Sequence, residues 1–147
     1  MRTGWIMELR GNYQKSSAEY RNYPQGKALV VDERPDSLEC YAGMLGAYGY
    51  QVRRCRTYCE GVRCLENEAF DFVLVSQGSP KFEGSCVLKK AIEIDRHLPV
   101  VVVARCLDMG SYIEAMQLGA TDYLVEPLTA REVGRLLPPQ PCLRVAA

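Results

Sequence analysis

The stretch Ala28-Leu29-Val30-Val31-Asp32-Glu33 is an unbroken apolar run that ends in two carboxylates. Consecutive apolar residues of this kind are typical of a parallel strand that is buried on both faces of its sheet. Two later runs have the same form, because residues 72–75 stop at Ser76 and residues 123–125 stop at Glu126. Ligands gather at the carboxyl ends of parallel strands, so we expect these polar residues to share one pocket.

Helical periodicity alternates with apolar runs along the rest of the chain. After the first strand, apolar residues recur at helical spacing from Leu38 to Tyr48, and Gly49 ends the helix. The same reading predicts strands at residues 28–31, 50–54, 72–75, 100–103 and 123–125, each followed by a helix. Parallel strands need helical crossovers, so the pattern predicts a three-layer α/β/α fold with a doubly wound five-stranded parallel sheet. This is flavodoxin-like architecture, with strand order 2-1-3-4-5.

The composition fits one domain without a marked charge. The chain has 147 residues, of which 48% are hydrophobic, which is enough for one core. Its 18 basic and 18 acidic residues cancel, so no overall field attracts nucleic acid or a membrane surface. No apolar stretch reaches the roughly 20 residues of a membrane span, and we expect a cytoplasmic protein.

The predicted domain occupies residues 26–137. Residues 1–25 are polar with scattered aromatic residues, so we expect a flexible N-terminal extension. Residues 138–147 begin with two prolines and are expected to be a C-terminal tail or the stub of a linker.

The cysteines do not predict a metal site. The chain has seven cysteines without a Cys-x-x-Cys pair, and His97 is its one histidine. Zinc sites need closely paired ligands, so we expect no zinc. The cysteines fall at apolar positions of separate elements, and we expect them to be small buried hydrophobes in a reducing compartment.

Several motifs, in order along the chain, resemble the receiver domain of bacterial response regulators. They are residues 29–33, residues 70–75, Pro80, Gly84, residues 98–101, residues 119–124 and Pro127. The resemblance implies that Asp32 and Glu33 match the acidic doublet that binds magnesium in the family. It places Ser76 where the family has its phosphoacceptor aspartate, and Gly78 where a backbone carbonyl completes the metal ligands.

The resemblance also assigns the positions that respond to phosphorylation. Ala104 corresponds to the family's Ser or Thr at the end of the fourth strand, and Tyr123 to its aromatic switch residue. Glu126 stands where the family has a lysine, and the bond before Pro127 is expected to be cis. Without a hydroxyl at residue 104, we expect Tyr123 to be a half-buried tyrosine at the sheet edge.

Three of these positions have changed chemical type. A serine is a weaker nucleophile than a carboxylate and would give a stable ester instead of a labile acyl phosphate, so aspartyl phosphorylation is excluded. Glu126 would repel phosphoryl oxygens, and Ala104 cannot donate a hydrogen bond to them. With one carboxylate lost, magnesium binding through Asp32, Glu33 and Gly78 is expected to be weak. Glu33 could instead favour the start of the first helix through its dipole.

Arg105 follows the fourth strand and adds a positive charge near this pocket. The changes of charge at Ser76, Glu126 and Arg105 cancel relative to the family pattern. We therefore expect Arg105 to pair with Glu126 or with the acidic doublet, filling the pocket in place of metal and phosphate.

The sequence therefore predicts a degenerate pseudo-receiver without enzymatic activity, acting in two-component signal transduction as a phosphorylation-independent protein-interaction module. Its partner would be a signalling protein or its own effector domain, with a homodimer through the fourth helix, fifth strand and fifth helix (Met109–Leu118 and residues 129–137) as a further option. One alternative is a conventional phosphorelay receiver that uses Asp71, Asp32 or Ser76 as its acceptor. Another is a ligand or redox sensor that uses Cys86 and Cys106.

Overall fold

The computed structural model describes residues 26–138, so the predicted extension and nearly all of the predicted tail lie outside the described residues. Five strands and five helices alternate in it. They are β1 (Gly26–Val31), α1 (Pro35–Ala47), β2 (Tyr50–Cys55), α2 (Tyr58–Asn67), β3 (Phe72–Ser76), α3 (Ser85–Ile94), β4 (Val100–Ala104), α4 (Met109–Leu118), β5 (Asp122–Val125) and α5 (Ala130–Leu136).

The strands form one parallel sheet in the order β2-β1-β3-β4-β5, which confirms the predicted topology. The register places Val31 beside both Cys55 and Val75. Ser76 lies beside Val103 on the next strand. The carboxyl ends of β1, β3 and β4 are therefore level with one another, and the residues that follow them lie at one edge of the sheet.

Each face of the sheet has its own hydrophobic core. Alternate residues of the central strands point to opposite faces, so Leu29 and Val31 join the core that α2, α3 and α4 cover. Ala28 and Val30 join the core under α1 and α5. The apolar residues 28–31, 72–75 and 100–103 are all buried, as an apolar run in a doubly covered strand predicts. Burial of each such side chain contributes about 1.5–3 kcal/mol.

Local sequence signals fix the ends of several helices. Thr57 accepts a hydrogen bond from Glu60 N at 3.1 Å before α2, and Asp108 accepts one from Ser111 N at 2.9 Å before α4. Thr129 and Glu132 form a capping box at the start of α5. Gly119 ends α4 with φ of 106°, a left-handed conformation that glycine adopts without steric cost.

The prediction that the cysteines are buried hydrophobes is wrong for most of those described. Only Cys55 is buried and Cys64 is half-buried, whereas four others are exposed: Cys40, Cys59, Cys86 and Cys106. The exposed cysteines lie on the outer faces of helices or in a loop, where a small thiol needs no apolar neighbours. Within residues 26–138, no cluster of three or more His, Cys, Asp or Glu residues is arranged to hold a metal ion. None of the helices in this range has the length and apolar character to cross a membrane.

Candidate functional site

The site lies at the carboxyl edge of the sheet, as the sequence predicts. Asp32 follows β1 and is only 2% exposed, whereas its neighbour Glu33 is exposed. Ser76 ends β3 and is half-buried, and Glu126 follows β5. Asp32 and Glu126 are close enough for each charge to act on the other, so the ends of β1 and β5 share one electrostatic environment.

Glu126 is held by two groups from the opposite side of the site. One Nη atom of Arg34 donates to both carboxylate oxygens of Glu126, at 2.9 Å each. The hydroxyl of Tyr41, on α1, donates to the same carboxylate. The carboxylate that stands before Pro127 is therefore already satisfied by protein groups.

Arg34 also contacts the acidic doublet. Its backbone N–H donates to Asp32 Oδ1 at 2.9 Å, and its Nε lies 4.0 Å from the same oxygen. Arg34 precedes Pro35, which favours extended backbone at the preceding residue, and its φ and ψ are −91° and 118°. Arg34 thus joins the ends of β1 and β5 in one ionic network.

The predicted pairing of Arg105 with Glu126 is therefore wrong. Arg105 is exposed in the loop after β4 and acts on Asp32 only as a further positive charge. Arg34 takes the predicted partner, Glu126, because it starts on the loop directly beside Asp32. The sequence signal for Arg34 was its position two residues after Asp32 and immediately before a proline.

Burial dominates the titration of Asp32. Removal from water raises the pKa of Asp32 above its model-peptide value of 3.8, and the charge of Glu126 adds to that rise. The hydrogen bond from Arg34 N and the charges of Arg34 and Arg105 lower it, but not enough to reverse the effect. The hydrogen bond to Glu126 in turn raises the pKa of Arg34, so this guanidinium stays protonated.

Ser76 lies beside an aromatic hydroxyl that the sequence analysis missed. Ser76 Oγ accepts a hydrogen bond from Gly78 N at 3.2 Å. The hydroxyl of Tyr58, in the first turn of α2, is buried near the Ser76 side chain and makes no hydrogen bond within residues 26–138. Burial raises the pKa of Tyr58 to about 12, although the nearby Ser76 side chain lowers it. Tyr58 directly follows Thr57, the N-cap of α2. This position at the start of the helix was the one feature of the sequence that placed Tyr58 at the carboxyl edge of the sheet.

Tyr123 is more deeply placed than the half-buried position we expected. It is 7% exposed, and its hydroxyl donates to Oε1 of Gln77, which is 3% exposed. The same hydroxyl accepts a hydrogen bond from Asp108 N at 3.3 Å. The ring meets Tyr112 edge to face, with the ring centroids 5.5 Å apart.

Gln77 is the second residue that the sequence analysis missed. Its backbone N–H donates to Val103 O at 2.8 Å, which extends the pairing of β3 and β4 by one step. Its side-chain Nε2 donates to Ser79 O at 3.2 Å. Both ends of the amide are thus satisfied, and Oε1 points to Tyr123. Ala104, buried at the end of β4, carries only a methyl group.

The Glu126–Pro127 peptide bond is cis, as the resemblance to receiver domains implies. Residues 28–137 match the family model described as response regulator receiver domain. The chain belongs to this family.

Curated relatives of this receiver domain are longer proteins. It is 26% identical over 100 residues to the transcriptional regulatory protein ZraR of Escherichia coli, covering 68% of this chain and 23% of that protein. It is 29% identical over 110 residues to the response regulator protein PilR of Pseudomonas aeruginosa, covering 75% of this chain and 24% of that protein. The receiver domain thus spans about a quarter of the length of these relatives.

Solved receiver domains have the same fold. A response regulator receiver domain from Clostridium thermocellum is 29% identical with a TM-score of 0.67, covering 75% of this chain and 89% of that one. A receiver domain protein from Methanospirillum hungatei is 26% identical with a TM-score of 0.68, covering 74% of this chain and 87% of that one. These neighbours and the family match place the chain in two-component signalling.

Proposed function

We propose that this receiver domain acts in two-component signalling without aspartyl phosphorylation, as a non-enzymatic module that binds other proteins. The observation that carries the proposal is the pairing of Glu126 with Arg34 and Tyr41. By the resemblance, Glu126 stands where the family has a lysine that binds the phosphoryl group. A carboxylate there repels phosphoryl oxygens, and Arg34 is engaged with that carboxylate.

The acceptor position supports the same conclusion. Ser76 carries a hydroxyl that accepts a hydrogen bond from Gly78 N and lies near the Tyr58 hydroxyl. Neither neighbour is a base that could remove the serine proton, and burial holds Tyr58 in its neutral form. A serine without a base is a poor nucleophile, so phosphoryl transfer to Ser76 lacks its first requirement.

Tyr123, at the aromatic switch position, is held by a protein group and not by a response to a phosphoryl group. The resemblance pairs Tyr123 with a hydroxyl residue at 104, but Ala104 offers none. Gln77 supplies a protein partner for the Tyr123 hydroxyl. We propose that this bond holds the domain in one state, because both groups are buried and would be costly to leave unpaired.

We propose that the domain has no cofactor and binds magnesium only weakly. Magnesium favours several carboxylate and water oxygens in an octahedral arrangement. Of the candidate ligands, Asp32 already accepts a hydrogen bond from Arg34 N, and the Arg34 guanidinium lies beside the same oxygen. Glu33 and the backbone carbonyl of Gly78 would then be the main protein ligands of the ion, which is too few for tight binding.

We propose that the domain acts by binding proteins of the signalling system. Large apolar side chains are exposed on α4, in the loop before it and at the end of β5: Leu107, Met109, Tyr112, Ile113, Met116 and Val125. Exposed apolar surface of this kind is typical of protein interfaces. As the occupant of this face we propose a second copy of the chain. The Ile113→Glu variant would then sediment as a monomer while the unaltered chain forms a dimer, and a chain that is monomeric at all concentrations would exclude the homodimer.

Phosphorylation assays test the main proposal. The chain is incubated with acetyl phosphate and magnesium, and its intact mass is measured before and after treatment with hydroxylamine. We expect no phosphoryl adduct. The matched control is the triple variant Ser76→Asp, Ala104→Thr, Glu126→Lys, which restores the family pattern and should gain a hydroxylamine-labile adduct. A labile adduct on the unaltered chain, at Asp71 or Asp32, or a stable one at Ser76, would refute the proposal.

A further inference from the structure

Two cysteines on neighbouring elements bring their sulfur atoms into contact. Cys55 ends β2, and Cys64 lies on α2 where that helix packs against the sheet. Their Sγ atoms are 3.4 Å apart. A disulfide has an S–S distance of about 2.05 Å, so the two sulfur atoms would have to approach by only about 1.3 Å to bond.

The two thiols differ in their surroundings. Cys55 is 3% exposed, whereas Cys64 is half-buried. The Arg53 guanidinium is paired with Glu68 and also lies near the Cys64 sulfur. Of the two sulfur atoms, that of Cys64 is the more accessible from solvent. Cys64 is therefore the thiol that a reagent from solvent meets first, and Cys55 lies directly behind it.

An open groove of about 410 Å³ leads to this pair. Three arginines, Arg53, Arg54 and Arg63, line the groove together with Glu60 and Glu68. Arg53 is paired with Glu68 and Arg54 with Glu39, so much of the charge along the groove is neutralised. Among the six cysteines that the structure describes, all thiols are free, and the sulfur contact between Cys55 and Cys64 is the one thiol pair at this distance.

We propose that Cys55 and Cys64 are a disulfide-forming site, oxidised by a low-molecular-weight disulfide such as glutathione disulfide. The proposal does not rest on the proposed function, and it concerns cysteines other than Cys86 and Cys106.

The oxidation takes place in two thiol–disulfide exchange steps. The Cys64 thiolate attacks one sulfur of glutathione disulfide, which forms a mixed disulfide and releases one glutathione thiolate. Cys55 then loses its proton to solvent and attacks the Cys64 sulfur of the mixed disulfide, which releases the second glutathione thiolate. Two protein thiols have been oxidised to one disulfide, and glutathione disulfide has been reduced to two molecules of glutathione. Burial raises the pKa of Cys55 to about 12, and the 3.4 Å separation of the two sulfur atoms makes the second step an attack on an adjacent atom of the same chain.

A disulfide between Cys55 and Cys64 would affect residues of the candidate functional site. The backbone carbonyl of Cys55 accepts a hydrogen bond from Asp32 N at 3.1 Å. Tyr58, whose hydroxyl lies near Ser76, belongs to the segment 55–64 that the disulfide would close into a ring. Oxidation would therefore restrain the end of β2 and the first turns of α2 against Asp32 and Ser76.

Peptide mapping tests the proposal on the full chain. The reduced protein is treated with glutathione disulfide, remaining thiols are alkylated, and the protein is digested with trypsin without reduction. Trypsin cuts after Arg54, Arg56 and Arg63, so the disulfide would leave the dipeptide 55–56 attached to peptide 64–81. We expect this linked peptide as the main oxidised species, with loss of two alkylatable thiols and recovery of both after dithiothreitol.

Three variants sharpen the result. Cys64→Ser and Cys55→Ala should each abolish the linked peptide, and Cys40→Ser, an exposed cysteine on α1, should leave it unchanged. In the Cys55→Ala variant, the mixed disulfide at Cys64 should accumulate because nothing displaces it. The first measurement uses the unaltered chain, so it stands even if a variant does not fold. The proposal is overturned if the unaltered chain gives no 55–64 link, links other cysteines preferentially, or keeps glutathione on Cys64.

Discussion

One Nη of Arg34 bridges both carboxylate oxygens of Glu126 at 2.9 Å, although the two residues are 92 positions apart in the chain. Arg34 comes from the loop after β1 and Glu126 from the end of β5. The ion pair therefore connects two loops on the carboxyl edge of the sheet. Because the Arg34 side chain is 38% exposed, solvent screens the pair and its contribution to stability is modest.

A double-mutant cycle measures this pair. Arg34→Met and Glu126→Gln, alone and together, should give a coupling free energy of about 0.5–1 kcal/mol in urea unfolding, as expected for a partly exposed pair. The matched control is Arg54 with Glu39, an ion pair at 2.9 Å whose side chains are both more exposed. Its coupling should be smaller, and an equal or larger value would contradict the ranking.

The Tyr123→Phe substitution should destabilise the domain by about 1–3 kcal/mol, because Gln77 Oε1 loses its donor in a buried position. Tyr112→Phe is the control, since the Tyr112 ring packs against the same Tyr123 ring but its residue is exposed. Chemical denaturation checks both variants. If Tyr123→Phe is as stable as the unaltered chain, the bond to Gln77 does not hold the switch position.

The buried carboxylate of Asp32 should make stability depend on pH. Its pKa is raised in the folded state, so the folded protein binds the proton more tightly than the unfolded chain does. Stability from this group is fully present below the unfolded value of 3.8 and is lost as pH rises through the higher folded pKa. Asp32→Asn, whose side-chain oxygen can still accept from Arg34 N, should therefore be more stable than the unaltered chain at neutral pH. The difference should vanish in acid, and thermal melting at several pH values would show it. A destabilised Asn variant at neutral pH would mean that Arg34 outweighs burial.

Replacement of two glycines by alanine should change the stability of the domain in opposite directions. A Cβ on Gly84 would lie 2.1 Å from the backbone oxygen of Ser76, so Gly84→Ala should cost about 1–3 kcal/mol through overpacking. Gly43 lies inside α1 with nothing within 4 Å of an added Cβ. Gly43→Ala should stabilise the helix by about 0.5–1 kcal/mol. Denaturation curves of both variants test the close approach of Gly84 to the end of β3.

The sequence predicted which strand ends form the site better than it predicted which side chains contact each other there. The strand ends at Asp32, Ser76 and Glu126 could be located because buried parallel strands read as apolar runs that stop at a polar residue. The partner of Glu126 could not, because Arg34 and Arg105 both follow strands of this edge, and the course of each loop decides which side chain arrives. Gln77 was missed for a related reason. A polar residue after a strand is usually exposed, whereas here Tyr123 gives its amide a buried partner.

The most direct measurement of phosphorylation independence is an NMR titration with beryllofluoride and magnesium, which mimic a bound phosphoryl group. In the unaltered chain, the backbone amide resonances of Gln77, Tyr123 and Glu126 should stay in place, because the site offers no acceptor carboxylate and Tyr123 is already bound to Gln77. The triple variant Ser76→Asp, Ala104→Thr, Glu126→Lys should show shifts at the same positions. Saturable shifts of Gln77 and Tyr123 in the unaltered chain would contradict a receiver domain held in one state.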